Sequence, residues 1–299
     1  MEIRTVTAED AGHVVAMANR IDTTSLQTAQ TFRALIERGA PEGTERLVAE
    51  SDGTIVAWAP SGIHADDSGW LWIGVDAAYR GRGIGTALYD RIATRLGARL
   101  LRTSANDEDG RRFLERRGFV RTNVLSVLTR ELDDLPEPTV ETLPLSDVDI
   151  DSIRQLYAEG HDDVPSESPR APFTDEAFER EVVEAELVDR DVSSVVVEHG
   201  ETVAFTLVLA NHQDGRAETQ MTAVRRDRRG SGLAYAVKIG SLHRARAAGL
   251  RTMLSANDTG NAPMLAVNRK LGFAASIAVE DYELRAETSS SREPPAPAT

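Results

Sequence analysis

Apolar residues recur along the chain with the spacing of helices and of strands. One predicted helix carries an apolar stripe at four-residue spacing, formed by Ile84, Leu88, Ile92 and Leu96. A second predicted helix has the same kind of face, formed by Leu233, Ala236, Val237 and Gly240. Short apolar runs on both sides of Asp52-Gly53 and of His199-Gly200 predict two tight hairpins. The pattern therefore predicts a mixed α/β fold.

The same succession of elements occurs twice. Val75–Gly85 recurs as Val224–Ala234, with Arg80 and Arg229 lying 149 positions apart. Two later landmarks recur in the same order: Ser104–Asp107 as Ser255–Asp258, and Gly118-Phe119 as Gly272-Phe273. Each half is predicted to run through a strand, one or two helices, a hairpin, a long strand, a glycine-rich turn, a helix, a strand, a helix and a closing strand. The chain is therefore interpreted as a duplicated domain.

An acidic segment with two prolines, Glu131–Thr139, separates the two copies. Proline cannot continue a central strand or a helix, so this segment is a predicted linker. We place the domains at 1–136 and 139–286. The last segment, 287–299, has nothing to bury and is predicted to be disordered.

Composition and charge narrow the classes of function. The chain has 34 basic and 48 acidic residues, for a net charge of −14, which disfavours a general nucleic-acid binder. It has no cysteine, and its six histidines lack metal-site spacing, so no metal site is predicted. The charged start Met1–Val6 and the lack of a run of about eighteen apolar residues predict a cytoplasmic protein without a membrane partner. Oligomeric state is left open.

Glycine-rich turns follow the long predicted strand in each half. In the first half the turn Arg80–Gly85 follows the predicted strand Trp70–Val75 and begins a helix. Backbone N–H groups at a helix N-terminus suit a pyrophosphate, and glycine lets the anion approach the backbone. The spacing differs from the dinucleotide fingerprint and from the P-loop. The alternative, a purely structural connection, is disfavoured because the pattern occurs twice with the same flanking elements.

Both turns fit the pattern Arg/Gln-x-x-Gly-x-Gly/Ala, as Arg80-x-x-Gly83-x-Gly85 and Arg229-x-x-Gly232-x-Ala234. With the later Gly-Phe pairs, this pattern resembles the acyl-CoA loop of the GNAT N-acetyltransferase superfamily. Nearly the whole chain resembles a tandem of two such domains, as in the actinobacterial type. The resemblance implies an α/β (α+β) fold in which each central sheet splays beside the loop. The pantetheine arm of acetyl-CoA, or of another short acyl-CoA, would lie in that gap.

The resemblance implies acyl-CoA contacts in both halves, with strand residues along the pantetheine arm and turn residues around the pyrophosphate. In the first half these are Ile73, Val75, Arg80, Gly81, Arg82, Gly83, Ile84, Gly85, Thr86 and Asp107. In the second half they are Thr222, Val224, Arg229, Gly230, Ser231, Gly232, Leu233, Ala234, Tyr235, Asn257 and Asn261.

The chain departs from the family at the proton donor. Where the superfamily often has a tyrosine that protonates the departing thiolate, this chain has Leu114 and Asn268. Leu114 cannot donate a proton, so the first half either uses another acid or does not turn over. Asn268 keeps a hydrogen-bond donor, and with Asn257 and Asn261 it predicts a polar face beside the thioester. Helix N-capping is the alternative for Asn257 or Asn261.

Acyl transfer to an amine also needs a base and an oxyanion donor. In the second half the candidate bases are Glu218, on the strand before the loop, and Asp163, in a loop with Pro165. The first half offers Asp22, Asp66 and Asp67. A solvated surface role is the alternative for each, because 48 carboxylates share the chain. The acidic surroundings favour a cationic amine acceptor.

Three classes of function remain open. The first is an N-acyltransferase that moves an acetyl group to a primary amine of a small molecule by direct attack in a ternary complex. The second is a module in which one half binds CoA without turnover, and the third is a scaffold. The two intact loops disfavour a scaffold. We favour the enzyme, with Glu218, Asp163 and Asn268 of the second half as its catalytic candidates; the acceptor and the acyl group are not identified.

Acetyl-CoA is expected to bind with about one or two equivalents per chain. A ligand that binds only the folded state raises the unfolding free energy by about 2.7 kcal/mol at a hundredfold excess over its Kd. Titration calorimetry and thermal unfolding measure both effects. Absence of binding at millimolar acetyl-CoA contradicts this interpretation.

Overall fold

The computed structural model describes residues 1–24, 26–64, 66–138, 140–163 and 173–285. Pro165 and the tail 287–299, for which disorder is predicted, lie outside the described residues. The described strands are β1 (Glu2–Thr5), β2 (Glu45–Ser51), β3 (Thr54–Ile63), β4 (Gly69–Leu71), β5 (Gly74–Val75), β6 (Leu100–Ala105), β7 (Val120–Glu131), β8 (Leu143–Pro144), β9 (Ser194–Glu198), β10 (Glu201–Asn211), β11 (Arg216–Val224), β12 (Thr252–Asp258) and β13 (Ala274–Arg285).

The described helices are α1 (Ala11–Ile21), α2 (Ala29–Glu37), α3 (Ile84–Leu96), α4 (Glu108–Glu115), α5 (Arg154–Asp163), α6 (Asp175–Phe178), α7 (Leu233–Ala247) and α8 (Ala262–Lys270). Short 3-10 turns occur at Ala8–Asp10, Ala77–Tyr79, Leu145–Asp147, Ile150–Ile153 and Arg226–Arg228, and a π turn follows α6 at Glu179–Val183.

The two predicted amphipathic helices are α3 and α7. Every residue of both predicted apolar faces is buried, which confirms the pattern. Both predicted hairpins are present, with Asp52-Gly53 and His199-Gly200 at positive φ. The predicted strand Trp70–Val75 is interrupted instead, because only its two ends, β4 and β5, pair with β3.

All described strands belong to one mixed sheet, in the order β1-β2-β3-β4-β6-β13-β7-β12-β11-β10-β9-β8, with β5 paired to β3. In each half two helices cover each face. Helices α1 and α2 pack on one face of the first half, and α3 packs on the other beside Leu114 of α4. In the second half α5 and α6 pack on one face and α7 packs on the other. Leu271 and Phe273, which directly follow α8, lie in the same core as α7.

The closing strands of the two halves are exchanged. Strand β13, from the end of the chain, pairs with β6 of the first half, whereas β7, from the first half, pairs with β12 of the second. Tyr282 of β13 is therefore 1% exposed within the core of the first half. Leu128 and Leu132, on and just after β7, lie in the core of the second half. Each core is completed by the other half.

Within the described part of the chain, no helix is long and apolar enough to cross a membrane. The described residues also contain no group of three or more histidine, aspartate or glutamate side chains that could hold a metal ion.

We expect Tyr282→Ala to lower the unfolding free energy by about 3 to 5 kcal/mol, the usual effect of truncating a buried aromatic residue. Because Tyr282 completes the core of the first half, amides of α3 and β6 should lose protection together with β13. Urea unfolding followed by amide hydrogen exchange measures both effects. Tyr282→Phe is the control, since it loses only the 3.0 Å hydrogen bond to Glu280, worth about 1 kcal/mol. Unchanged protection of α3 and β6 in Tyr282→Ala contradicts the exchange.

Candidate functional site

Left-handed glycines shape both predicted turns. Gly81 and Gly83 have φ values of +74° and +81°, and Gly230 and Gly232 have +77° and +88°. A side chain there would be strained, whereas a Cβ at any of the four would meet nothing within 4 Å. Gly83 and Gly232 are the N-cap residues of α3 and α7. The first N–H groups of each helix have no partner within the helix, and the glycine positions beside them are open.

The remaining turn residues have different surroundings. Ile84 and Leu233 are buried, so their side chains anchor the helix in the core and leave only their backbone for a ligand. The Arg82 guanidinium lies 4.9 Å from the Tyr79 ring, and Thr86 Oγ1 accepts a 2.8 Å hydrogen bond from Arg117. The Ser231 hydroxyl donates to the carbonyl of Arg228. Near these turns, Gly85, Ala234, Tyr235, Ile73, Val75, Thr222 and Val224 are all half-buried.

Beside each turn, two parallel strands part and leave a gap in the sheet. In the second half, β11 and β12 pair in parallel from Arg216–Thr252 to Glu218–Leu254 and then diverge. We call the opening between them the second gap. Strand β11 continues beside β10 with a bulge at Gln220, while β12 continues beside β7 to Asp258. Among the described residues, no strand therefore pairs with the backbone of β11 beyond Glu218 on the side of the gap.

The first gap lies between β5 and β6. Strand β4 pairs with β6 at Gly69–Leu101 and Trp70–Arg102, after which β5 pairs only with β3. Its mouth is bridged, because Arg80 Nη1 lies 2.8 Å from the carboxylate of Asp107, on the opposite side of the gap. Among the described residues no ion pair bridges the mouth of the second gap in this way. The two gaps therefore differ in how accessible they are.

Asp163, predicted as a base, lies at the end of α5 and holds the glycine turn of the second half. Its carboxylate accepts hydrogen bonds from Arg229 and, at 3.0 Å, from Arg226. These two guanidinium groups keep the pKa of Asp163 below its usual value. Arg229 also donates to the carbonyl of Val224 at 3.1 Å. This arrangement supports positioning of the turn and does not support proton abstraction.

The three predicted asparagines have three different environments. Asn261 is the N-cap of α8 and accepts a hydrogen bond from the Met264 amide, so it has the capping role given as its alternative. Asp107 caps α4 in the same way. Asn257 is not a cap; it lies in β12 and donates to the Ser255 carbonyl and hydroxyl, each at 3.1 Å. Asn268 is fully buried and donates to the same hydroxyl at 3.3 Å. Its Oδ1 has no hydrogen-bond partner among the described residues.

A buried lysine that the sequence interpretation passed over completes this polar cluster. Lys238 of α7 is 2% exposed, and its Nζ donates to Thr219 Oγ1 at 3.1 Å. Ser255 Oγ lies 3.5 Å from the same Nζ. Burial lowers the pKa of Lys238 to about 7. The available signal was composition, since Lys238 is one of only two lysines beside 32 arginines.

Glu218 is half-buried at the root of the second gap. It lies on the face of β11 opposite Lys238, because side chains alternate along a strand and neighbouring Thr219 contacts the lysine. Burial, with a smaller contribution from the negative charge of Asp22, raises the pKa of Glu218 to about 7. Asp22 belongs to the first half, where it accepts a 3.2 Å hydrogen bond from Asn106. Glu218 is therefore set up to exchange a proton near neutral pH.

The two other predicted bases of the first half, Asp66 and Asp67, have surroundings unlike those of Glu218. Asp66 accepts hydrogen bonds from Ser68 and from Arg102, at 2.9 Å, and these contacts lower its pKa strongly. Asp67 is exposed. Neither arrangement supports a base.

An open cleft lies where the two halves meet, on the same face of the sheet as Glu218. Its volume is about 480 Å³. It is lined by Asn19, Thr23, Thr129, Asp214, Arg216, Thr252, Leu254, Ser276 and Ile277. Leu254 is the residue paired with Glu218, so the cleft adjoins the root of the second gap.

The residues present in the second half fit an acyl-CoA. The open positions beside Gly230 and Gly232 leave room for an anion at the N-terminus of α7. The unpartnered edge of β11 can pair with the amides of a pantetheine arm. The orphaned Oδ1 of Asn268 shows that the buried cluster has hydrogen-bonding capacity left over.

Comparison with known proteins decides the family. A model described as "Acetyltransferase (GNAT) domain" matches residues 42–121, and one described as "Acetyltransferase (GNAT) family" matches 150–273. The chain belongs to the GNAT acetyltransferase family. It is accordingly an N-acetyltransferase with two GNAT domains in tandem, and this confirms the fold and enzyme class predicted from the turns.

Individual relatives cover nearly the whole chain. The chain is 25% identical over 289 residues to a mycothiol acetyltransferase from Actinosynnema mirum, covering 93% of this chain and 95% of that protein. It shares its fold with a GCN5-related N-acetyltransferase from Sphaerobacter thermophilus, with TM-score 0.71, 18% identity and 95% coverage of both chains. A tandem GNAT protein from the clavulanic acid biosynthesis pathway has TM-score 0.65 and 20% identity, covering 96% of this chain and 99% of its own.

The raised pKa of Glu218 predicts a pH-dependent stability. Between about pH 4.5, the usual value, and about pH 7, the folded state binds more protons than the unfolded state, so the unfolding free energy falls as pH rises. Above about pH 7 this contribution is constant. In Glu218→Gln this decrease in unfolding free energy should disappear. In Asp22→Asn the decrease should span a narrower pH range, because the pKa of Glu218 is raised less. Urea unfolding at a series of pH values measures the unfolding free energy. If it depends on pH equally in Glu218→Gln and in the unmodified protein, the prediction is wrong.

Proposed function

We propose that the second half is the catalytic copy and transfers an acetyl group from acetyl-CoA to a primary amine of a small molecule. The observation that carries this proposal is the second gap, with a carboxylate titrating near neutral pH on one face and a buried polar cluster on the other. Membership of the GNAT family supports acyl-CoA-dependent N-acetylation. The position of Glu218 supports direct attack within a ternary complex.

Acetyl-CoA supplies an electrophilic thioester carbonyl and a thiolate leaving group. Residues Arg229 to Tyr235 would bind its pyrophosphate through backbone N–H groups, with Asp163 holding Arg229 in place. The free edge of β11 would orient the arm. Glu218, as carboxylate, would take the proton that the attacking amine gives up.

The acceptor would approach through the cleft between the halves. Hydroxyl groups of four lining residues, Thr23, Thr129, Thr252 and Ser276, suit a polar acceptor rich in hydrogen-bonding groups. The carboxylates of Glu218 and Asp22 suit a cationic amine, whereas Asp214 is already paired with Arg216 at 2.7 Å. The relative from Actinosynnema mirum, named for mycothiol, also supports a small-molecule acceptor.

The first half is proposed to be a non-catalytic partner. Leu114, at the position of the family's proton donor, is buried in the core. The Arg80–Asp107 ion pair bridges the mouth of its gap, so the first gap must open before an arm can enter. This half contributes Asp22, Thr23 and the closing strand β7 to the site of the other.

Single glycine substitutions distinguish the halves. Gly232→Ala places a methyl group where the pyrophosphate would bind, and we expect a loss of acetyl transfer of about tenfold or more, equivalent to about 1.4 kcal/mol. Gly83→Ala should leave the rate within about twofold, equivalent to about 0.4 kcal/mol. Gly249→Ala is the matched control, because Gly249 has φ +82° and open space at the far end of α7. Acetyl transfer to a panel of amines is the measurement; loss only in Gly83→Ala overturns the proposal.

A further inference from the structure

The two lysines of the chain both lie beside the second gap. Lys270 is on α8, with its Nζ 4.6 Å from the centre of the Tyr235 ring, and Lys238 is on α7 beneath the gap. The other 32 basic residues are arginine. Arginine remains charged in proteins, whereas a buried lysine can release its proton. The buried cation at this site is thus the type that can take part in proton transfer.

Lys238 Nζ lies at the point where the strands part. Thr219 and Ser255, whose hydroxyls it reaches at 3.1 and 3.5 Å, directly follow the last parallel pair, Glu218–Leu254. One hydroxyl is on each diverging strand. The ammonium group therefore spans the root of the second gap, on the face covered by α7 and α8.

No carboxylate of the described residues forms an ion pair with this ammonium group. The surrounding elements carry several charged groups, all placed elsewhere. Arg216 of β11 pairs with Asp214, Arg244 of α7 donates to Ser194, and Glu131 of β7 accepts from Thr252. Glu218 is on the opposite face of β11, Asp258 turns back to the Gly260 amide at 2.7 Å, and Lys270 covers Tyr235. The nearest aromatic ring, Phe273, has its centre 5.4 Å from Nζ. A buried cation without a counter-ion favours binding of an anion at the same place.

We propose that Lys238, acting through the hydroxyl of Thr219, supplies the proton that the CoA sulfur takes up as the acyl group leaves. Thr219 would give its hydroxyl proton to the thiolate and take one from Lys238, so the ammonium and the thiolate become an amine and a thiol. The inference rests on the proposed function, namely catalysis in the second half. It assigns to Lys238 the role left vacant where Asn268 replaces the family's tyrosine.

The first half provides an internal contrast. At the repeat spacing of 149 residues, the counterpart of Lys238 is Tyr89. The Tyr89 ring packs edge-on against Phe113 and Phe119, with centres 6.1 Å apart in both cases. Within the described residues, the position of the buried Lys238 is thus taken in the first half by an aromatic ring, with the half-buried Arg117 guanidinium 5.1 Å from its centre.

Nuclear magnetic resonance of protein labelled at the lysine side chains gives a direct readout, because two lysines give two signals. The signal that disappears in Lys238→Met should titrate near pH 7. Binding of CoA should raise that midpoint, because a thiolate stabilises the ammonium, and desulfo-CoA should not. The Lys270 signal is the control, since it should respond equally to both ligands. Equal response of the Lys238 signal to CoA and desulfo-CoA overturns the inference.

Kinetics supply the second readout. Lys238→Met and Thr219→Val should lower kcat by about a hundredfold, a typical contribution of general acid catalysis, with little change in the KM for acetyl-CoA. The fall in rate above about pH 7, expected when Lys238 deprotonates, should vanish in Lys238→Met. Lys238→Arg keeps the charge but should not restore kcat. Lys270→Met is the matched control, with kcat and its pH profile unchanged.

The two proposals fail in different ways. If Gly83→Ala alone abolishes acetyl transfer, the assignment of catalysis to the second half fails and this inference falls with it. If Gly232→Ala abolishes transfer while Lys238→Met keeps both kcat and the fall above pH 7, only the role of Lys238 is overturned. Retained folding of Lys238→Met, checked by circular dichroism, is expected because methionine fills a similar volume without a charge.

Discussion

The exchange of closing strands is the constraint on which the site depends. Strand β12 pairs with β7 over its whole length, from Thr252–Glu131 to Asp258–Leu125, while β11 is held by β10 as far as Val224. Each strand beside the second gap thus has a full partner on its outer side. The outer partners hold both strands in place beyond Glu218–Leu254, so the gap can stay open with the backbone groups on its inner side left for a ligand. Since β7 comes from the first half, the site of the second half depends on both.

Two titratable groups, Glu218 and Lys238, lie on opposite faces of the sheet where β11 and β12 part. Glu218 faces the cleft between the halves, and Lys238 faces the core beneath α7. Burial raises the pKa of the carboxyl and lowers that of the ammonium, so both arrive at about 7 from opposite directions. At this point of the sheet, a group that can take a proton therefore faces the cleft, and a group that can give one faces α7. In the first half, Tyr89 takes the position of Lys238 and packs between aromatic rings, and Leu114 takes the position of Asn268.

Local signals were predictable from the sequence, and long-range pairings were not. The apolar stripes, the hairpins and the left-handed glycines follow from residue spacing and conformational preference, and Asn261 caps a helix as asparagine commonly does. The exchange of β7 and β13 was missed because strand pairing depends on distant residues. The sequence predicts Asp163 as a base because its ion-pair partners Arg226 and Arg229 lie more than sixty positions away along the chain and are not evident from local pattern. Lys238 directly follows Val237 of a predicted apolar face, and its charge gives no local sign that its side chain is buried.

A crystal structure with a non-reactive thioether analogue of acetyl-CoA would show which of the two gaps binds the cofactor. We expect density in the second gap, with the pyrophosphate at Arg229 to Tyr235 and the sulfur near Thr219, between the faces of Glu218 and Lys238. Density only between β5 and β6, with the Arg80–Asp107 ion pair broken and the second gap empty, would contradict this expectation.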